Sequence, residues 1–185
     1  LGLSLLSCFA LAACGGGGST PAAASPTSGT QSVETSTTVG TPLSAQTNGI
    51  SVTAELPPAS AATTVAYAFT TTPPANVTIE PAAAYLCLTP AATISFSELP
   101  TFALAGPVSL LPPGSAGYVA LYNPATSAAG WIEEQGPISI QTSSATTFTS
   151  STPLGPAAST TFGGGQTSCF AFQTLSGFGS TTIGF

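Results

Sequence analysis

From Ile50 onward, apolar and polar residues alternate in short runs broken by Pro and Gly. Ile50, Val52, Ala54 and Leu56 stand at every second position until Pro57-Pro58 ends the run. Val65, Tyr67 and Phe69 repeat the pattern within TTVAYAFTTT, ahead of Pro73-Pro74. The segments NVTIE, YLCLT, ATISFSEL, TFALA, GYVALYN, PISIQT, TTFTS, SCFAFQ and TTIGF continue in the same manner. Period-two alternation over a few residues, bounded by turn formers, predicts strands. No window offers a capped helix of period 3.6, and no fixed repeat marks a propeller or solenoid. The expected fold is all-β: a single antiparallel β-sandwich with Greek-key-like connections over residues 50–185.

Upstream the pattern is lost. Residues 15–49, GGGGSTPAAASPTSGTQSVETSTTVGTPLSAQTNG, hold almost no large apolar side chain to offset the entropy of ordering. They are expected to form a tether whose end-to-end distance, for a coil of about 35 residues, is about 30–35 Å. A competing reading adds residues 35–39 to the domain as an edge strand. Residues 1–14, LGLSLLSCFALAAC, are apolar but shorter than the roughly 20 residues of a membrane-spanning helix, and fit the hydrophobic region of an export signal. Without an initial Met or a basic segment, the start is expected to be truncated or misassigned.

Leu11-Ala12-Ala13-Cys14 resembles the lipobox of bacterial lipoproteins, with hydrophobic, small, small and Cys falling where the apolar run ends. The resemblance implies cleavage before Cys14, a thioether-linked diacylglycerol on its sulfur, and residues 1–13 as signal peptide. Gly15-Gly16-Gly17-Gly18-Ser19 follows at once and suits the flexible lead of an anchored domain. Gly15 stands where an Asp commonly retains such proteins at the inner membrane of Gram-negative bacteria, so the implied destination is the outer membrane. The competing reading is an ordinary cleaved signal with Cys14 a plain loop cysteine. Farther on, SELPTFALAGPVSLLPPGSAGYVALYNPATSAAGW resembles secreted bacterial proteins rich in Ala, Thr and Pro; this supports a secreted β-sandwich and implies no activity.

Composition narrows function by exclusion. The chain of 185 residues has no Lys, Arg or His, and its only charges are six Glu, for a net charge of −6. Phosphate-backbone binding needs Lys or Arg, so no nucleic-acid partner is expected. Without His or Lys there is no Ser-His or Cys-His nucleophile, Schiff base or P-loop ammonium. Zinc and EF-hand calcium sites lack their usual ligands, and no cofactor or metal is expected.

The remaining chemistry rests on a few side chains. Cys87 and Cys169 fall in predicted strands of an exported chain and form a disulfide candidate; two buried reduced thiols are the alternative. Glu133 and Glu134 are adjacent, so on a strand they point to opposite faces and cannot flank one glycosidic bond. A pair drawn from Glu80, Glu98 and Glu133 would be needed for the alternative function, a carboxylate-dependent polysaccharide hydrolase. Tyr118, Tyr122 and Trp131 are candidate stacking rings for a glycan or an envelope protein, competing with a place in the core. Here Trp131 is the expected core plug and Tyr122 the expected surface ring. Asn76-Val77-Thr78 fits the N-glycosylation pattern but has little meaning in a bacterial lipoprotein. Phe185 follows a segment without the apolar outward face of an outer-membrane barrel strand. The expected function is therefore a lipid-anchored envelope protein of structural or binding type, without catalysis.

Overall fold

A computed structural model of the chain describes residues 28–72, 75, 84–107, 116–126, 131–133, 138–142, 147–153 and 160–174. For residues 116–118, 131–133, 138–142, 147–153 and 173–174 the backbone alone is described. The described residues form thirteen strands and no helix, so none long and apolar enough to cross a membrane. The strands are β1 (Thr30–Glu34), β2 (Thr41–Thr47), β3 (Ile50–Leu56), β4 (Thr64–Thr70), β5 (Ala84–Pro90), β6 (Ile94–Phe96) and β7 (Thr101–Pro107). They continue as β8 (Ala116–Tyr122), β9 (Trp131–Glu133), β10 (Ile138–Thr142), β11 (Thr147–Pro153), β12 (Thr160–Phe162) and β13 (Ser168–Thr174).

All described pairings are antiparallel. One sheet runs β1-β4-β5-β13-β8, and β8 then pairs with both β9 and β10. The other runs β10-β11-β7-β3-β2. Strand β10 belongs to both: Ile138 and Ser139 pair with β8, and Ile140 to Thr142 pair with β11. The chain is thus an antiparallel β-sandwich whose sheets share a crossing strand. The Greek-key character lies in β13, which inserts between β5 and β8, and in β7, which inserts between β11 and β3.

Six phenylalanines run through the core. Phe69, Phe172, Phe102, Phe170, Phe162 and Phe96 form a chain of ring contacts with centroids 4.9–6.2 Å apart, mostly tilted or edge-to-face. Such pairs contribute about 0.5–1.5 kcal/mol each beyond the area they bury. Leu43, Val52, Leu56, Leu86, Leu88, Leu104 and Leu121 fill in around the rings. The two-stranded sheet β6–β12 closes one end, supplying Phe96 and Phe162 to the same core. Within ATISFSEL only Ile94–Phe96 is strand. NVTIE and TTIGF lie outside the described residues.

The expected boundary at residue 50 is corrected. Residues 30–47 hold β1 and β2, both hydrogen-bonded into the sandwich, and residues 35–40 form a loop rather than the edge strand considered there. Thr41, Leu43 and Ala45 of β2 are buried against β3, and Val33 of β1 packs on the core. The turn between β2 and β3 is Asn48-Gly49, with φ of 46° and 79°. Two left-handed residues in a two-residue loop define the turn that matches the natural twist of a hairpin, and Asn-Gly is its strongest sequence signal.

β1 and β2 end opposite sheets, yet they meet at one side of the sandwich. The Gln31 amide nitrogen and the Tyr67 hydroxyl donate to the Ser44 carbonyl, at 3.3 and 3.4 Å. Side chains thus occupy an edge that strand pairing leaves open. Since Ser44 turns its carbonyl outward, Pro42 two residues earlier shares that edge and has no N–H to offer another chain.

Candidate functional site

The predicted chemistry-bearing residues converge most closely in the centre of the first sheet. Cys87 of β5 lies directly opposite Cys169 of β13, and their sulfurs are bonded at 2.06 Å. The disulfide joins neighbouring strands separated by 82 residues in sequence. Cys169 in turn faces Tyr122 of β8, and Tyr122 faces Trp131 of β9. One row of register positions, Cys87–Cys169–Tyr122–Trp131, therefore crosses four adjacent strands.

Cys87, Cys169 and Tyr122 of this row lie on the side of the sheet away from the phenylalanine core. Leu86, Leu88, Phe170, Phe172, Val119 and Leu121 point inward, so alternation turns Tyr85, Cys87, Cys169, Ala171 and Ala120 outward. These five are nonetheless buried and form a second apolar cluster around the disulfide. Tyr122 packs against it half-buried, which differs from the free surface ring expected. Trp131 and Tyr118 hold strand positions opposite Tyr122 and Gln173; their side chains, and hence the expectation of Trp131 as core plug, lie outside the described residues. Cys14 and the lipobox, Asn76 and Phe185 also lie outside them.

The carboxylates are distributed differently. Glu34 in β1, Glu55 in β3 and Glu98 before β7 are exposed, and Glu34 accepts a hydrogen bond of 2.9 Å from the Thr64 hydroxyl. Of the trio considered for hydrolysis, only Glu98 has a described side chain. Glu133 holds a position in β9 opposite Ala120, while Glu80 and Glu134 lie outside the described residues. Among the described residues no group of three or more Cys, Asp, Glu or His is placed to hold a metal ion.

A polar network that sequence reasoning missed lies at the β6–β12 end. Asn123, fully buried after β8, donates from its amide nitrogen to the Thr161 carbonyl at 2.8 Å. Its amide oxygen accepts from the Ala125 N–H at 3.1 Å and the Ser168 hydroxyl at 3.3 Å. One side chain thus ties β8, β12 and β13 together. Asn123-Pro124 at the end of an alternating run was the available signal for a side-chain-stabilised turn. Nearby, Ser95 and Thr161 hydroxyls bond at 2.7 Å, and Thr89 and Thr167 at 2.9 Å. A Cβ on Gly164 would stand 2.8 Å from the Thr93 backbone nitrogen, so this turn requires glycine. These groups satisfy one another, which is the pattern of a structural network.

Comparison with protein-family models, with curated proteins and with solved structures found no match.

Proposed function

We propose that this protein is an exported envelope lipoprotein, held by a lipid on Cys14 and presenting its β-sandwich as a binding or structural module. The observation that carries the reading is Leu11-Ala12-Ala13-Cys14 at the end of an apolar run, followed immediately by four glycines. The Cys87–Cys169 bridge supports export, because disulfides persist in oxidising compartments and are rare in the cytosol. Each buried methylene contributes about 0.8 kcal/mol, so two or three acyl chains make a durable anchor. Gly15 in place of an inner-membrane retention Asp favours the outer membrane.

For binding, the row that sets Tyr122 beside Trp131 on neighbouring strands supports a neutral partner, a glycan or an envelope protein, since flat rings need no charge to stack. Metabolic labelling with a palmitate analogue, comparing the parent with Cys14→Ala, tests the anchor. Label on the parent alone is the expected result, and equal label on both overturns it. A glycan array comparing the parent with Tyr122→Ala and Trp131→Ala tests the binding row; signal on the parent that both variants lose is expected.

A further inference from the structure

We infer that residues 30–36 form an exchangeable arm, and that the slot it occupies along β4 accepts the same arm from a second copy of this chain. The inference is independent of the anchor at Cys14, since it concerns how two sandwiches join.

The arm is lightly held. β1 has one strand neighbour, β4, and its side chains alternate between exposed and half-buried, with Val33 as its apolar contact with the core. The slot is closely defined. The Ala91 N–H donates to the Thr64 carbonyl at 2.8 Å, so Thr64, Ala66 and Ala68 bond toward β5. Alternation then leaves the backbone groups of Val65 and Tyr67 for Val33 and Gln31. Without β1 those groups lie open beside two buried side chains, an edge that templates a new strand. Past β1, Thr35 is 2% exposed, and its N–H and hydroxyl donate to the Thr63 carbonyl at 2.9 and 3.1 Å. The Ala59 N–H donates to the Ser36 carbonyl at 2.8 Å, where the arm ends. A strand that fills the slot must offer an amide opposite Tyr67, whose hydroxyl donates to Gln31 Oε1 at 3.1 Å. It must also offer a small apolar side chain opposite Val65 and a buried hydroxyl opposite Thr63. TQSVET offers all three, from this copy or from another.

The hinge follows directly. Thr37, Thr38 and Val39 are exposed, Val39 at 62%, and hydroxyls hold their turn closed. The Ser36 hydroxyl accepts from the Thr38 and Val39 N–H groups at 3.2 and 3.3 Å, and the Thr41 hydroxyl accepts from the Ser36 N–H at 3.3 Å. Extended, the steps from Ser36 to Thr41 span at most about 17 Å, enough to pass the arm to an adjacent copy. Edge-to-edge addition is obstructed, because Gln31 and Tyr67 occupy the Ser44 carbonyl and Pro42 has no N–H. Exchange avoids that obstacle. Every contact of the arm is remade, and each copy gives one arm and receives one. The balance between closed and exchanged forms then rests on the effective concentration of the arm, on the order of 1 mM for a short flexible link.

The full chain with Cys8→Ala and Cys14→Ala, its Cys87 and Cys169 bridged, gives a background without free thiols for the test. Ser32 and Ala66 lie opposite one another at a pair whose backbones are not hydrogen-bonded, where side chains come closest. Ser32→Cys in one preparation and Ala66→Cys in another cannot link within a copy. Mixed at roughly 1 mM and oxidised, they should give a covalent heterodimer on a non-reducing gel, with a yield that falls on about tenfold dilution. Thr37→Pro with Thr38→Pro favours an extended hinge and removes the Thr38 N–H, so it should raise the diluted yield at least about threefold. Ser36→Ala, which removes only the hydroxyl that closes the turn, should move the yield in the same direction. No heterodimer from any of these hinges, while one chain carrying both Ser32→Cys and Ala66→Cys links within itself, overturns the exchange. So does a heterodimer that forms as readily when Thr53→Cys, exposed on β3, replaces Ala66→Cys, or a product that joins only Ser32→Cys to itself.

Discussion

The centre of the first sheet and the middle of the second are made of similar strands and treat their outer faces in opposite ways. In β3 and β7 of the second sheet, burial alternates: Val52, Ala54, Phe102 and Leu104 face the core, and Ser51, Thr53, Glu55 and Ala103 face outward at least partly exposed. In β5 of the first sheet, five consecutive residues, Ala84 to Leu88, are buried. One half of that strand packs on the phenylalanine core and the other half on the disulfide cluster. The backbone period is two in both sheets, so the difference lies in how many faces are covered. A strand buried on both faces reads as a near-continuous apolar run, and YLCLT does so where TAELPP and TFALAG do not.

The sharpest way to break the comparison is to place a charge on each outer face. Ala171→Lys puts an ammonium beside a buried disulfide, among described side chains that include no carboxylate, at a cost of several kcal/mol, enough to unfold a domain of ordinary stability. Thr53→Lys, on the exposed face of β3, should change stability by less than about 0.5 kcal/mol. Thermal melts of the two variants check the contrast, and similar losses would mean the outer faces are equivalent.

Next in size is the cross-link. Closing a loop of 82 residues stabilises by about 4–5 kcal/mol in the chain-entropy picture. Reduction, or paired Cys87→Ala and Cys169→Ala, should lower the melting temperature by about 10 °C or more. Intact mass of unreduced, alkylated protein gives an independent check, since two alkylated domain cysteines would mean no bridge. Phe102→Ala tests the core both sheets share. Its ring contacts Phe170 and Phe172 at 4.9 and 5.3 Å, and its loss should cost about 3–5 kcal/mol by denaturant titration.

A smaller effect concerns a polar group. The Ser44 hydroxyl is buried without a hydrogen-bond partner, while the Ser44 carbonyl makes the contacts at the seam. Ser44→Ala removes the unsatisfied group and keeps the carbonyl, so stability should stay level or rise by about 1 kcal/mol in thermal or denaturant melts.

The strands from Ile50 to Leu56, Val65 to Phe69 and Phe102 to Leu104 were legible because one solvated face imposes visible alternation. β1 and β2 were not, since TQSVE and TPLSAQT carry only one large apolar residue each. Their place in the sandwich depends on partners 30 residues away in the case of β1 and on the Asn48-Gly49 turn in the case of β2. The turn was in plain view, and its φ values supply the hairpin that composition alone obscured. Of the candidate site, the cysteines could be paired by elimination once residues 1–14 were set aside as signal and anchor. That Tyr122 and Trp131 occupy the same cross-strand row could not be read, because register between distant strands leaves no trace in either strand.

The sequence by itself determined the chemistry available to this protein: six carboxylates without a cation, a lipobox-like run, two cysteines left to pair, and alternation that admits only strands. These are properties of residue type and local spacing, and no fold can add an imidazole or a lysine. The tertiary structure alone decided which strands became neighbours. Inserting β13 between β5 and β8 buries YLCLT on both faces, brings Cys169 opposite Cys87 and sets Tyr122 in line with them. Such placements follow from packing two sheets around one core, where each strand's position depends on all the others.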